Sequence, residues 1–375
     1  MVKGIQLTLM IGPGVPVPVS REVLEALRTV TVTTTTEGPS GFQLTFELSR
    51  RSPLHALFLV AGGAAPPLIR VILAATVGGR TEVLMDGVMT HHEVTGGRTG
   101  QAPVLTVTGE DLTRVMDYID FSGIPYPAAP DFARVLAVLA KYAVFGIVPK
   151  VIPSVLLDVP LPMDRIPLHR GKDLGYVKML AERVGYVFYL EPGPTPGVST
   201  AYWGPELKVG APQPALNMDM DAHTNVESLD FSYDSEGATL PMALIYLNAT
   251  RTPLGVPVPA ITPLSPPLGA IPPIPKRLEW MEGTGKLNPV QAAAVAMAKA
   301  AKSSEVVTAT GSLDVLRYGR LLKARKLVGV RGAGTAFDGL YYVRKVTHRL
   351  KRGEYKQDFT LSRNGLVSTT ATVPP

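Results

Sequence analysis

The chain has no cysteine in 375 residues. Disulfide scaffolds, thiolate zinc sites and cysteine nucleophiles are therefore excluded, while the redox compartment stays open. No run approaches the ~20 apolar residues that a membrane span needs, so no membrane-spanning helix is expected. The N-terminal stretch breaks at Gly12-Pro13-Gly14 and offers neither an apolar h-region nor a small-residue cleavage site. No signal peptide is expected, and synthesis in the cytoplasm is. No Gly-x-Ser-x-Gly elbow, Walker loop or His-Glu-x-x-His motif occurs. The close glycines of RGAGTAFDG (331–339) are followed by a strand pattern, not by the helix that a dinucleotide fingerprint requires, and they read as a turn. Charge is sparse, at 18% of residues with a net +6. Its densest patch, Arg317, Arg320, Lys323, Arg325 and Lys326, reads as a solvated strand face or loop rim, because a nucleic-acid groove would interleave aromatics over a longer stripe.

Turn formers are abundant, with 36 glycines and 35 prolines. Many turns point to a strand-rich protein, and the length allows roughly two or three domains, each with its own core. Residues 1–110 read as a first β unit. Ile5, Leu7 and Leu9 alternate with polar neighbours, and 27–36 with 42–48 flank a Gly-Pro-Ser-Gly turn. Strand patterns at 69–77, 81–94 and 102–108 follow, separated by paired glycines. Strands of this length and turn density suggest a small barrel or sandwich.

Residues 111–215 change character. Asp111 is expected to cap a short helix carrying Leu112, Val115, Met116 and Ile119. Asp131 is expected to cap a second one, with Phe132, Val135, Leu136, Leu139 and Ala143 on one stripe and Gly146 at its end. After a proline-punctuated connector (149–167), Asp173 begins a helix with Leu174, Val177, Leu180, Ala181 and Val184 inward. Gly185 stops it, and 186–190 is a strand. Strand patterns return at 226–233 and 241–248. The stretch 253–275 is so rich in proline that an extended, partly polyproline-II loop is expected. Asn288-Pro289 starts an alanine-rich helix, and the chain is β from Glu305 onward.

The last β stretch is the clearest. Tyr355, Gln357, Phe359 and Leu361 alternate with Lys356, Asp358, Thr360 and Ser362, as a half-buried strand must. Residues 341–350 are rich in β-branched and aromatic types, and Lys351-Arg352-Gly353 supplies the turn of a long hairpin fed by Asp338-Gly339. This Gly-x-Tyr-x-Val approach, Val-Thr-His strand and Gly-x-Tyr return ending in Ser-Arg-Asn resembles the last barrel of phage tail baseplate hub proteins. These form the late control gene D family, related to the hub half of type VI secretion spike proteins. Two earlier pieces resemble it in the same order: EVLMDGVMTHHEV with PVLTVTGEDL, where a strand enters through Asp-Gly, and the Leu-Ala-x-x-x-Gly-Tyr step at 180–186.

The resemblance implies a β-rich α+β protein, with two small antiparallel β-barrels flanking an α/β middle region. The first barrel is 1–110 and the middle domain 111–215. The second barrel is 216–250 with 303–375, and 251–302 is a Pro-rich loop and helix inserted in it. It further implies a homotrimer in a baseplate, joining a sixfold tail tube or its initiator protein to a threefold spike, beside other baseplate proteins. Assembly would take place in the host cytoplasm, with DNA or cargo passing through the lumen. The sequence ends at ATVPP without repeats that could build a needle, so a separate spike protein is expected. A distal hub of a non-contractile tail is a close variant.

No catalytic residue and no cofactor is expected. Asp219, Asp221 and His223, spaced i, i+2, i+4, would share one face of a strand and are the only metal candidates, for a metal-assisted hydrolase. Their plainer reading is a polar rim. His91 and His92 would point to opposite faces, and nothing fixes the separation of Glu191 and Asp230 as a glycosidase pair.

Overall fold

The computed structural model describes residues 4–49, 52–54, 68–96, 102–154, 163, 166–247, 252–257, 266–281 and 289–370. The first strands are β1 (Ile5–Pro13) and the short β2 (Val17–Pro18). A helical turn follows, α1 (Arg21–Ala26), whose start is capped by the Ser20 hydroxyl accepting from the Val23 N–H. Then come β3 (Leu27–Thr35), β4 (Gly41–Glu47), β5 (Ile69–Val77), β6 (Arg80–Thr95) and β7 (Val104–Asp111). They pair antiparallel in the order β3-β4-β7-β6-β5-β1-β2. The Asp86-Gly87 step was expected at a strand entrance and lies instead in the middle of β6. The glycine is required there by close approach, since a Cβ at Gly87 would sit 2.2 Å from the Glu110 carbonyl oxygen on β7.

The middle region begins with a 3-10 turn (Leu112–Asp117) capped by Asp111, which accepts from the Thr113 N–H at 2.9 Å. Its helices are α2 (Asp131–Ala140) and α3 (Asp173–Glu182). Its strands are β8 (Ile147–Val151), β9 (Val187–Pro192) and β10 (Ser199–Gly204), in the order β8-β10-β9. Val135, Val138 and Leu139 of α2 meet Val177, Leu180 and Ala181 of α3 in a second core that includes Trp203. Three expectations are corrected here. Pro130, not Asp131, occupies the N-cap of α2, and Asp131 lies in the first turn, buried against Arg134. Leu136 and Ile119 turn outward. The first residues of the connector belong to β8, which pairs parallel to β10 despite Pro149 because it lies at the sheet edge, and residues 155–162, 164 and 165 lie outside the described residues.

The remaining strands are β11 (Gln213–Asn217), β12 (Ser228–Tyr233), β13 (Thr239–Leu247), β14 (Thr252–Pro257), β15 (Gly269–Ile271) and β16 (Arg277–Trp280). Helix α4 (Pro289–Ser303) precedes β17 (Val307–Asp314), and a four-residue helix, α5 (Val315–Tyr318), interrupts the expected β run. The chain then forms β18 (Leu327–Arg331), β19 (Gly339–Lys351), β20 (Glu354–Arg363) and β21 (Leu366–Ser368). The β19–β20 hairpin has the expected turn, with Lys351 opposite Glu354 and Gly353 at φ +83°. Tyr355, Gln357, Phe359 and Leu361 are buried as the alternation requires. Ser362 and Arg363, at the end of the strand, are buried too.

Strand β19 unites the molecule. One edge pairs with β20; the other takes β18 at residues 339–342 and β3 at residues 345–351. The register shift falls at Arg344. The result is one 13-stranded sheet, β12-β17-β20-β19-β3-β4-β7-β6-β5-β1-β2 with β18 and β11 branching from β19, antiparallel but for the β11–β18 pair. The protein is thus a strand-rich α+β fold whose main core draws on both ends of the chain.

The described part of the proline-rich stretch is not wholly the loop expected, and residues 258–265 lie outside the described residues. Strand β14 adds antiparallel to the edge of β13, and β16 adds parallel to its other side. Pro253 and Pro257 stand four residues apart on this strand, and its place at the sheet edge is where residues without an N–H are tolerated.

Candidate interaction surfaces

Asp219, Asp221 and His223 do not lie on a strand. They follow β11 in a tight turn, with Asp219 and Asp221 at φ +50° and +48°, and 221–223 forms a 3-10 turn. All three are exposed. Among the described residues no group of three or more His, Asp or Glu is placed to hold a metal ion. The turn is instead stitched to itself, with the Asn217 side chain donating to the His223 carbonyl at 3.1 Å and the Met220 N–H to Thr224 Oγ1 at 2.9 Å.

The basic patch divides. Arg317, Arg320 and Lys326 are exposed, whereas Lys323 pairs with Glu82 at 2.5 Å. Arg325 turns inward. Its guanidinium lies 4.2 Å from the centre of the Tyr189 ring and donates to the Thr35 carbonyl at 2.5 Å, tying the middle region to β3. Burial pulls its pKa below the ordinary arginine value. A positively charged residue reads as exterior from sequence, and its left-handed backbone (φ +63°) has no sequence signal.

Two further networks join the parts, the first buried and the second partly exposed. Arg70 on β5 binds Asp86 on β6 through paired bonds of 2.7 Å, and also donates to the carbonyls of Phe145 and Gly197 in the middle region. Arg344 binds Glu305 at 2.8 Å and also pairs with Glu37, while Glu305 pairs with Lys208. Within the middle region, the fully buried Asp173 accepts from Lys141 Nζ at 2.8 Å and from Tyr142 OH at 2.6 Å. His169 lies 3.2 Å from Asp173 and 3.2 Å from Tyr126 OH. Burial lowers the His169 pKa against the opposing pull of Asp173. Each of these charges has a partner, which is what burial demands.

The small sheet β14-β13-β16 carries exposed residues along the whole of β16. Lys299 on α4 reaches Glu279 at 2.6 Å, so the odd residues of β16 face the helix. Strand alternation turns Leu278 and Trp280 to the opposite side, where they are 68% and 57% exposed. The described core beneath is little more than Met281 and Ala296. Two exposed large apolar side chains thus share one face of a four-residue strand, a local concentration that a partner could cover.

No family model and no curated protein matches the chain. Solved structures do. A tail protein from Neisseria meningitidis MC58 superposes with a TM-score of 0.63 at 14% identity, covering 97% of this chain and 98% of its own. The 43 kDa tail protein of prophage MuSo2 from Shewanella oneidensis gives 0.61 at 12%, covering 96% and 98%. An Escherichia coli component of the type VI secretion system, with structural similarity to the T4 tail proteins gp27 and gp5, gives 0.54 at 12%, covering 93% and 78%. From end to end, this chain has the fold of phage tail proteins and of a type VI secretion component, as the resemblance to baseplate hubs implies.

Proposed function

We propose that the protein is the structural baseplate hub of a contractile phage tail or a tail-like injection particle. In this reading it is a homotrimer that joins a sixfold tail tube to a separate threefold spike. The observation that carries the proposal is coverage: two tail proteins, one of them from a prophage, match over nearly their whole length and nearly the whole of this chain. The arrangement of the sheet supports it. Strands β3-β4-β7-β6-β5-β1 on one side and β18-β19-β20-β17-β12 on the other are two sets that can each curl as a barrel, joined by β19. The domain reading is accordingly 1–110 and 216–250 with 303–375 as related barrels, 111–215 as the α/β middle, and 251–302 as an insertion. Two barrels in each of three subunits give six, the symmetry a tube requires.

The role is mechanical, and no catalytic step belongs to it. Rigidity follows from the Arg70, Arg344 and Asp173 networks, and the exposed face of β16 is a candidate subunit or baseplate contact. The test is native mass spectrometry with negative-stain imaging of the purified protein at high concentration. A threefold ring with an open centre is expected. A monomer that stays monomeric when candidate tube and spike proteins are added overturns the reading.

A further inference from the structure

Among the described residues the main core is not closed at one end. A cavity of about 710 Å³ lies between β1, α1, β3 and the tip of the β19–β20 hairpin. That is within the ~300–1,000 Å³ of typical binding sites. Its floor is apolar: Leu7 and Leu24 are half-buried, and Leu27, Val30, Leu350 and Tyr355 belong to the main core itself.

Two more observations bear on what fills it. Strand β1 pairs with β5 along its whole length, but among the described residues its other edge is used only at Met10 and Ile11 by β2, and at Leu9 by Val19. The outer edge of residues 5–8 therefore has no strand partner among the described residues, and it borders the cavity. The rim is also charged unevenly. Arg21 pairs with Glu25, Arg28 with Glu47, and Glu354 with Lys356. Lys351 and Arg352 at the hairpin tip have no carboxylate in ion-pair range among the described residues, and Arg352 donates only to the Glu25 carbonyl.

We propose that this open end receives an extended acidic segment of a partner protein. The segment adds as a strand to the outer edge of β1, turns alternate apolar side chains into the cavity, and sets carboxylates against Lys351 and Arg352. Main-chain bonds to an exposed edge with pockets for alternate side chains are the physics of strand addition. The two unpaired cations select the sign of the segment's charge. The inference goes beyond the hub reading and does not need a ring.

The probe is a fluorescein-labelled acetyl-Glu-Leu-Glu-Val-Glu-Leu-Glu amide, titrated with the full-length protein by fluorescence anisotropy. A Lys-for-Glu peptide and laurate are run in parallel. Saturable one-to-one binding of the acidic peptide is expected, at least tenfold tighter than the lysine peptide. Leu7→Trp or Leu24→Trp, which fill the cavity from half-buried positions, should weaken it at least tenfold. The double variant Lys351→Glu/Arg352→Glu, wholly on the surface, should invert the preference between the peptides and serves if the tryptophan variants fail to fold. The proposal is overturned if the acidic peptide does not saturate, if the lysine peptide binds as well, or if neither the filled nor the reversed variant changes the affinity. Saturable laurate binding without peptide binding also overturns it, by assigning the cavity to an amphiphile.

Discussion

Arg70 and Asp86 face each other across β5 and β6 with two bonds of 2.7 Å, and the Arg70 Nη2 that closes the pair also reaches the Phe145 carbonyl at 2.8 Å. Both side chains are nearly inaccessible. One guanidinium thus satisfies the sheet and the middle region together, so removing either charge strands the other in a dry junction. Asp86→Ala should destabilise the protein by about 3–5 kcal/mol, measured by urea unfolding. The paired change Arg70→Met/Asp86→Leu should recover a large part of that loss, because no unpaired charge remains. If Asp86→Ala is neutral, the pair does not hold the junction.

Gln357 makes a second testable contact. Its side chain accepts from the Leu322 N–H at 2.9 Å and donates to the Leu322 carbonyl at 2.8 Å, fully buried. Gln357→Leu keeps the apolar volume but orphans two buried backbone groups, at a cost of about 2–4 kcal/mol. The expected signature is a lower urea midpoint with an unchanged slope. The same substitution on the wet face, Thr360→Leu, should shift the midpoint little.

These two residues also show what was legible in the sequence. Gln357 stands at an inward position of a clean period-2 pattern, so its burial follows from alternation alone, although its partner does not. Hairpins such as β3–β4 and β19–β20 announce themselves because turn and strands are local. The union of β3 with β19 does not, because Thr33 and Thr347, 3.1 Å apart between hydroxyls, are 314 positions apart in the chain. Strands β8 and β14 were hidden by prolines that an edge tolerates. Arg325 was hidden by its charge, which reads as surface until an aromatic ring and a carbonyl are placed around it. The candidate Asp219, Asp221 and His223 set rested on strand periodicity, and two left-handed aspartates remove that premise.

The exposed face of β16 bears on assembly. Leu278 and Trp280 are exposed, so Leu278→Asp/Trp280→Asp should leave the urea midpoint of the isolated chain almost unchanged. If this face is a subunit contact, the variant should remain monomeric at concentrations where the parent assembles, as read by light scattering after gel filtration. Undiminished assembly would assign the contact elsewhere without touching the fold.

His348 gives stability a pH dependence of definite sign. It is buried beside Tyr355, with Nδ1 2.8 Å from the hydroxyl, and burial pushes its pKa down to about 4. The unfolded chain, with an ordinary histidine, binds a proton at a higher pH than the folded protein does. Between about pH 6.5 and 4 the unfolded state therefore holds more protons, and stability falls as pH falls through that window. The full loss is about 3 kcal/mol once the pH is below the folded value. Buried Asp111, whose carboxyl burial raises, works in the opposite direction, being worth most in acid. The two are separated by His348→Gln, which removes only the histidine contribution. Unfolding curves from pH 7 to 4 should show a smaller loss of stability in the variant than in the parent. Equal losses in both would mean that His348 takes up its proton without opposing the fold.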